Sequence, residues 1–212
     1  NEEDLVKYAF ALFLNHDFAK SLEVANMGLK KNPRHAAFNR LAMYNNTDLK
    51  RFEEALKAAD VFFNECDKAD YSYLDYMYYG HLLEELKKYD EAVGQYEKAV
   101  ELDPTKTDLY KNISSAYEQK NDYKKAIGAY HKYYSSLEKE KQTPDLQFQL
   151  GRLYYGAGTQ PDSLTINAEE RKQALMSADS VFQVISEAAP DSYLGNFWRA
   201  RANSALDPET TQ

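Results

Sequence analysis

The sequence is poor in most of what catalytic and covalently braced proteins rely on. Cys66 is the only cysteine among 212 residues, which excludes an intrachain disulfide and a cysteine-based zinc cluster. Glycine (8) and proline (6) are scarce, so collagen-like and low-complexity classes are excluded too. No apolar run approaches the roughly 20 residues of a membrane-spanning helix. Cations are outnumbered, with 26 Lys and Arg against 34 Asp and Glu, giving a net charge of −8. That balance argues against duplex nucleic acid, whose affinity rests on cations neutralising phosphates.

Chemistry-bearing clusters are missing as well. The four histidines, His16, His35, His81 and His131, have no second His or Cys three or four residues on, so no metal-ligating pair forms on a helix. Gly151, Gly156 and Gly158 lack the Lys-Ser/Thr that a phosphate-binding loop requires. Gly151 reads as a close-packing site, the other two as turn residues. Carboxylates such as Glu53-Glu54 and Glu84-Glu85 alternate with lysines, as solvated helix faces do. Asn45-Asn46-Thr47 and Asn112-Ile113-Ser114 match a glycosylation pattern short enough to arise by accident. The expectation is no catalytic residue, no cofactor and no metal: a chain that is not an enzyme.

Aromatic residues, by contrast, abound: 18 Tyr and 10 Phe. They are densest in 71-YSYLDYMYYG-80. Hydrophobic residues (43%) and charged residues (28%) balance as in a folded chain rather than a disordered one. Self-similarity explains much of this richness. Small residues Ser21, Ala55, Ala92, Ala126 and Ala178 each follow, three residues on, an anchor: Phe18, Phe52, Tyr89, Tyr123 and Leu175. Pro33, Pro104 and Pro190 stand at a common offset beyond three of them. A second small-residue series, Ala9, Ala42, Gly80, Ser114 and Gly151, runs upstream of the first. Apolar residues three and four apart flank both series, which is the helical period. Each unit is therefore read as two antiparallel helices joined by a tight turn, such as Lys87-Lys88 or Asn121-Asp122. The small residues mark where the helices approach closely.

This pattern resembles the tetratricopeptide repeat (TPR), whose 34-residue signature runs aromatic, Leu-Gly, Tyr, Ala, aromatic, Pro. The best copy is 73–106, with Tyr76, Tyr79-Gly80, Leu83, Tyr89, Ala92, Tyr96, Ala99 and Pro104; the next is 107–140. The resemblance covers residues 2–206 and implies an all-α fold. It would be a right-handed α-solenoid of about five helix pairs plus a C-terminal helix. The units would be 2–35, 36–72, 73–106, 107–143 and 144–191, with an insertion at 156–170 and a terminal helix at 192–206. Asn167 followed by Glu170 reads as a capping box that restarts the helix after an expanded turn. The helix at 192–206, before Asp207-Pro208, either closes the array or opens a further pair. In the second and fourth units Asp67 and Glu138 replace the closing proline, so their second helices are expected to run one turn longer.

The resemblance further implies that the first helices line a concave groove in which a protein or peptide docks. Carried onto this chain, the groove positions are Val6 and Phe10, Asn39 and Met43, Met77 and His81, Lys111 and Ser115, and Phe148 and Arg152. Tyr78 joins them as the tyrosine of the dense stretch that the repeat does not account for. Tyr76 and Tyr79 are core anchors, Tyr73 packs on the preceding unit, and Tyr71 lies in a connection. A carboxylate clamp would have only Lys111, Asn112 and Arg152 here, because Val6, Phe10, Met43, Met77 and His81 stand where it needs polar groups. The function implied is a non-catalytic interaction scaffold for an extended, partly apolar and acidic segment. A glycan- or small-molecule-binding protein and a structural subunit remain open alternatives. So do an exported bacterial or a cytoplasmic location, and the oligomeric state.

Overall fold

A computed structural model describes residues 1–66, 69–161 and 166–207. Asp67, residues 162–165 of the insertion and Pro208 lie outside the described residues. The chain divides into two compact units, Asn1–Lys106 and Thr107–Gln212, and each is described by itself.

The first unit holds three helix pairs: α1 (Glu2–Leu14) with α2 (Phe18–Lys31), α3 (Ala36–Asp48) with α4 (Phe52–Asp60), and α5 (Tyr73–Glu85) with α6 (Tyr89–Leu102). The second holds α7 (Leu109–Gln119) with α8 (Tyr123–Ser136), α9 (Pro144–Thr159) with α10 (Ala168–Ala188), and a last helix, α11 (Tyr193–Leu206). No strand occurs among the described residues.

Four pairs close through the same turn. His16, Lys50, Lys87 and Asn121 adopt φ near +60°, and the amide after each reverts to the helix five residues back. Asp17 N–H donates to the Leu12 carbonyl (2.9 Å), Arg51 to Asn46 (2.8 Å), Lys88 to Leu83 (2.8 Å) and Asp122 to Tyr117 (2.9 Å). This is the left-handed helix stop that satisfies orphan carbonyls. Asp17 and Asp122 then cap the next helix, accepting from the amides of Lys20 and Lys125 at 3.3 Å.

The small-residue series sit at the crossings. Ala9, Ser21, Ala55, Ala92, Ala126 and Ala178 are fully buried. Ser21 Oγ donates to the Ala9 carbonyl and Ser114 Oγ to the Ala126 carbonyl, both at 2.8 Å, so each serine serves as a small residue with its hydroxyl satisfied. A Cβ added to Gly80 would lie 2.7 Å from the Tyr96 ring, and one on Gly151 2.7 Å from Phe182. Only glycine fits either site without displacing a core ring.

Three expectations are corrected. The second helices of the second and fourth pairs are not longer. α8 has 14 residues, like α2 and α6. The nine residues of α4 continue as a five-residue π-helical segment that ends at Glu65. The extra residues lie in the connections after these helices, where Lys139–Lys141 forms a 3₁₀ turn. Without proline a helix is permitted to continue, but packing against the neighbouring helices decides where it stops. Gly156 and Gly158 are not turn residues either, since both lie inside α9. A Cβ would overlap the Tyr123 ring at the first and Leu175 at the second. α9 therefore runs on to Thr159, and the insertion starts as helix rather than as a turn. Asn167 does restart the chain: Glu170 N–H donates to its Oδ1 (2.9 Å) and its own N–H to Glu170 Oε2 (3.1 Å).

Candidate functional site

In the first unit the groove candidates separate by burial. Asn39 and Met43 are buried, 3% and 0% exposed, and are withdrawn from any accessible face. Asn39 Nδ2 donates inward to the carbonyls of Pro33 (2.9 Å) and His35 (3.1 Å). Met43 belongs to the core cluster with Tyr44 and Phe62. Phe10 and His81 are exposed, while Val6 and Met77 are half-buried. Tyr78 is accounted for by the fold after all. Its ring stacks on Tyr44 (centroids 4.1 Å, 19°) and meets the edge of Phe13 (6.1 Å). Its hydroxyl donates to Asp48 Oδ2 at 3.0 Å. Burial, then the Asp48 carboxylate, pushes the phenol above its ordinary range. Phe10, Phe13, Tyr44 and Tyr78 thus form an aromatic row across α1, α3 and α5, with Phe10 as its exposed end.

The other tyrosines of the dense stretch are structural. Tyr71, Tyr76 and Tyr79 surround Phe63, with centroids 5.2, 5.3 and 5.1 Å away. Tyr73 carries the Lys106 ammonium over its ring at 4.8 Å. Beside them lies a polar cluster that reading for groove residues missed. Asp75, fully buried, accepts from Arg40 Nε (2.7 Å) and Nη2 (3.1 Å), from Tyr44 OH (2.6 Å), and from Ser72 N–H (2.7 Å) and Oγ (3.1 Å). Arg40 also donates to the Asp70 carbonyl and lies over the Phe62 ring at 5.1 Å. Burial and the Asp75 charge push the Tyr44 phenol far up. The signal was present as Ser72 and Asp75, a capping-box spacing. This cluster ties α3 to the start of α5; with every acceptor occupied by chain groups, it is a brace rather than a reaction centre.

In the second unit Lys111 and Ser115 come together. They line a recess of about 290 Å³ with Glu118 of α7, Tyr130 of α8 and Gln149 and Leu153 of α9. Arg152, exposed on α9, reaches Glu118 Oε1 at 3.8 Å and donates to Gln149 Oε1 at 3.2 Å. Two cations therefore face one carboxylate around this opening. The Lys111 ammonium lies over the Tyr133 ring at 6.0 Å. Tyr130 OH donates to the Leu146 carbonyl (2.9 Å), and burial pushes this phenol up to about 12. Gln149 and Glu118 were missed by sequence reasoning, although Gln149 stands one helical turn before Arg152 on the same face. Phe148 turns elsewhere, packing on Phe182 (5.7 Å) and Trp198 (5.8 Å). Trp198 also meets Tyr155 (5.3 Å), and the Arg201 guanidinium covers it at 5.0 Å. α11 is fastened to the array through this aromatic cluster. Ala202 is its buried small residue.

Among the described residues no group of His, Cys, Asp and Glu is arranged to hold a metal ion. No helix among them is long and apolar enough to cross a membrane. Asn45, the first glycosylation match, is fully buried and donates to Ser21 Oγ at 2.8 Å, so it is no acceptor in the folded chain.

Comparison with known proteins places this arrangement. A family model described as TPR repeat matches residues 80–121. No curated protein matches the sequence. Among solved structures, the C-terminal part of a TPR repeat-containing protein from Cytophaga hutchinsonii is 28% identical. That likeness covers 98% of this chain and 73% of the other, with a TM-score of 0.71. YrrB, described as a TPR protein with an unusual peptide-binding site, is 15% identical over 93% of this chain and 91% of its own, with a TM-score of 0.63. A MamA fragment from Desulfovibrio magneticus RS-1 is 14% identical over 90% and 96%, with a TM-score of 0.62. With its paired helices and its small residues at the crossings, the chain has an all-α helical-repeat solenoid fold similar to that of TPR proteins, and its residues 80–121 match the TPR repeat.

Proposed function

We propose that this chain is a non-catalytic protein-interaction scaffold that takes an extended, partly apolar and acidic peptide segment on the faces of its first helices. The observation that carries this reading is the recess between α7 and α9. There Lys111 and Ser115 open beside Gln149, and Arg152 leaves a surplus of positive charge over Glu118. A carboxylate entering the recess meets a cation and a carboxamide together, and charge-assisted hydrogen bonds are the strong ones. Phe10, Met77, Tyr78 and His81 offer a mixed apolar and polar face in the first unit. Phe148 is set aside from this reading because the Trp198 cluster claims its ring. A glycan platform is less well served, because Tyr78 and Tyr44 spend their faces on each other. The likeness to YrrB supports the same class of ligand at the level of fold.

The test is selection from a random peptide library, followed by affinity measurement with the selected peptide. Acidic peptides should be enriched, and Lys111→Glu should weaken them by about tenfold or more, as loss of a charge-assisted contact does. Met77→Asp should weaken those selected peptides that dock on the first unit. Unchanged binding by both variants would sink the reading.

A further inference from the structure

The insertion builds a second recess out of helix. α10 begins at Ala168, well before its small residue Ala178, whereas α2, α6 and α8 begin only three residues before theirs. That is about two additional turns at the start of α10. The overhang lies against the start of α8, where Lys124 Nζ meets Glu170 Oε1 at 3.1 Å. Between overhang, α8 and α9 a recess of about 290 Å³ remains open. Its walls are Ile127, Tyr154, Ala157, Ile166 and Ala174. The Tyr154 hydroxyl is turned to His131 Nε2 at 2.7 Å, so the ring offers the recess only carbon.

The rim has the opposite character. Lys124 stands against two carboxylates, Glu169 and Glu170. Glu170 is held ionised by the Asn167 amide and by Lys124, which lower its pKa. Glu169 accepts from Gln173 Nε2 at 3.0 Å. With Lys124 matched to Glu170, one negative charge is left over at the mouth. The volume lies at the low end for small-molecule pockets, about 300–1,000 Å³. It suits one large side chain rather than a cofactor. Ala157 and Ala174 keep the space open where larger residues would close it.

We propose that this recess is an anchor pocket for a partner polypeptide, taking one aromatic or large aliphatic side chain with a cationic residue beside it. An apolar anchor in a desolvated pocket with a complementary charged rim is how interfaces concentrate their affinity. The site shares no residue with the recess of Lys111 and Ser115, so either reading stands or falls without the other.

The experiment follows the isoleucine methyl signals of the full chain during titration with N-acetyl-Trp-Lys-amide or N-acetyl-Trp-Glu-amide. Ile113 and Ile185, which do not line the recess, act as internal controls. The expected result is a saturable shift of Ile127 and Ile166 only. The lysine probe should bind about threefold or more tightly than the glutamate probe at low ionic strength, with the gap closing at high salt. Ala174→Leu, which fills the recess, should abolish the shifts. Glu169→Lys, on the exposed rim, should reverse the preference with the pocket intact. No saturable shift with either probe, equal affinity for both, or shifts that survive Ala174→Leu would each overturn the proposal. So would a Glu169→Lys chain that still favours the lysine probe.

Discussion

Replacing Asp75 by alanine should be among the most damaging single changes available in the first unit. The side chain is fully buried and accepts five hydrogen bonds, two from nitrogens of one guanidinium and one each from a phenol, an amide and a hydroxyl. Removing one member of a buried ion pair costs about 3–5 kcal/mol, because the partner stays behind uncompensated. Arg40 is 29% exposed, so water recovers part of its solvation and the ion-pair share falls toward the lower limit. Tyr44, only 2% exposed, has no such escape, and an orphaned buried hydroxyl costs about 1–3 kcal/mol. Loss of the cap on α5 adds about 1 kcal/mol. These terms overlap, since the same carboxylate serves all three, and a total of about 4 kcal/mol is expected. Urea unfolding followed by far-UV circular dichroism measures it. Trp198, the only tryptophan, lies in the second unit, so its fluorescence alone would miss a loss confined to the first. Pairing the change with Arg40→Met should recover part of the loss, because the abandoned cation goes too. A loss below about 1 kcal/mol for Asp75→Ala would refute the reasoning, showing the cluster to be solvated in practice.

Three further outcomes are expected. Gly80→Val should destabilise by about 1–3 kcal/mol or more, since its Cβ would press on the Tyr96 ring. Gly94→Ala and Gly128→Ala, where an added Cβ meets nothing within 4 Å, should each stabilise by about 0.5–1 kcal/mol; thermal melts of the three variants separate close packing from mere helix occupancy. The chain should also be sensitive to alkali. Tyr44, Tyr78 and Tyr130 have phenol pKa values raised by burial above the ordinary 10.0, Tyr130 to about 12. The unfolded chain therefore releases those protons first, and their contribution is intact below about pH 10 and lost as pH climbs beyond it. Unfolding midpoints taken between pH 8 and 12 should hold level and then fall, and a flat profile to pH 12 would contradict the burial of these hydroxyls.

The sequence by itself determined the number and order of the helix pairs, the place of the first four turns and the small residues at the crossings. These follow from local period, from helix stops and from the steric limit at a close approach, all of which are written in neighbouring residues. Burial is not. Asn39 and Met77 occupy the same position in successive repeats, yet one is buried and the other half-exposed. What covers a position comes from the adjacent pair, whose side chains the repeat does not dictate. For the same reason Asn39 turned inward to two carbonyls, and Phe148 was claimed by Trp198 from the last helix. Helix length after a missing proline, the continuation of α9 to Thr159 and the recess between α8, α9 and α10 were likewise decided by tertiary packing. A chain without a stop signal ends its helix where its neighbours cease to bury it, and only the folded molecule says where that is.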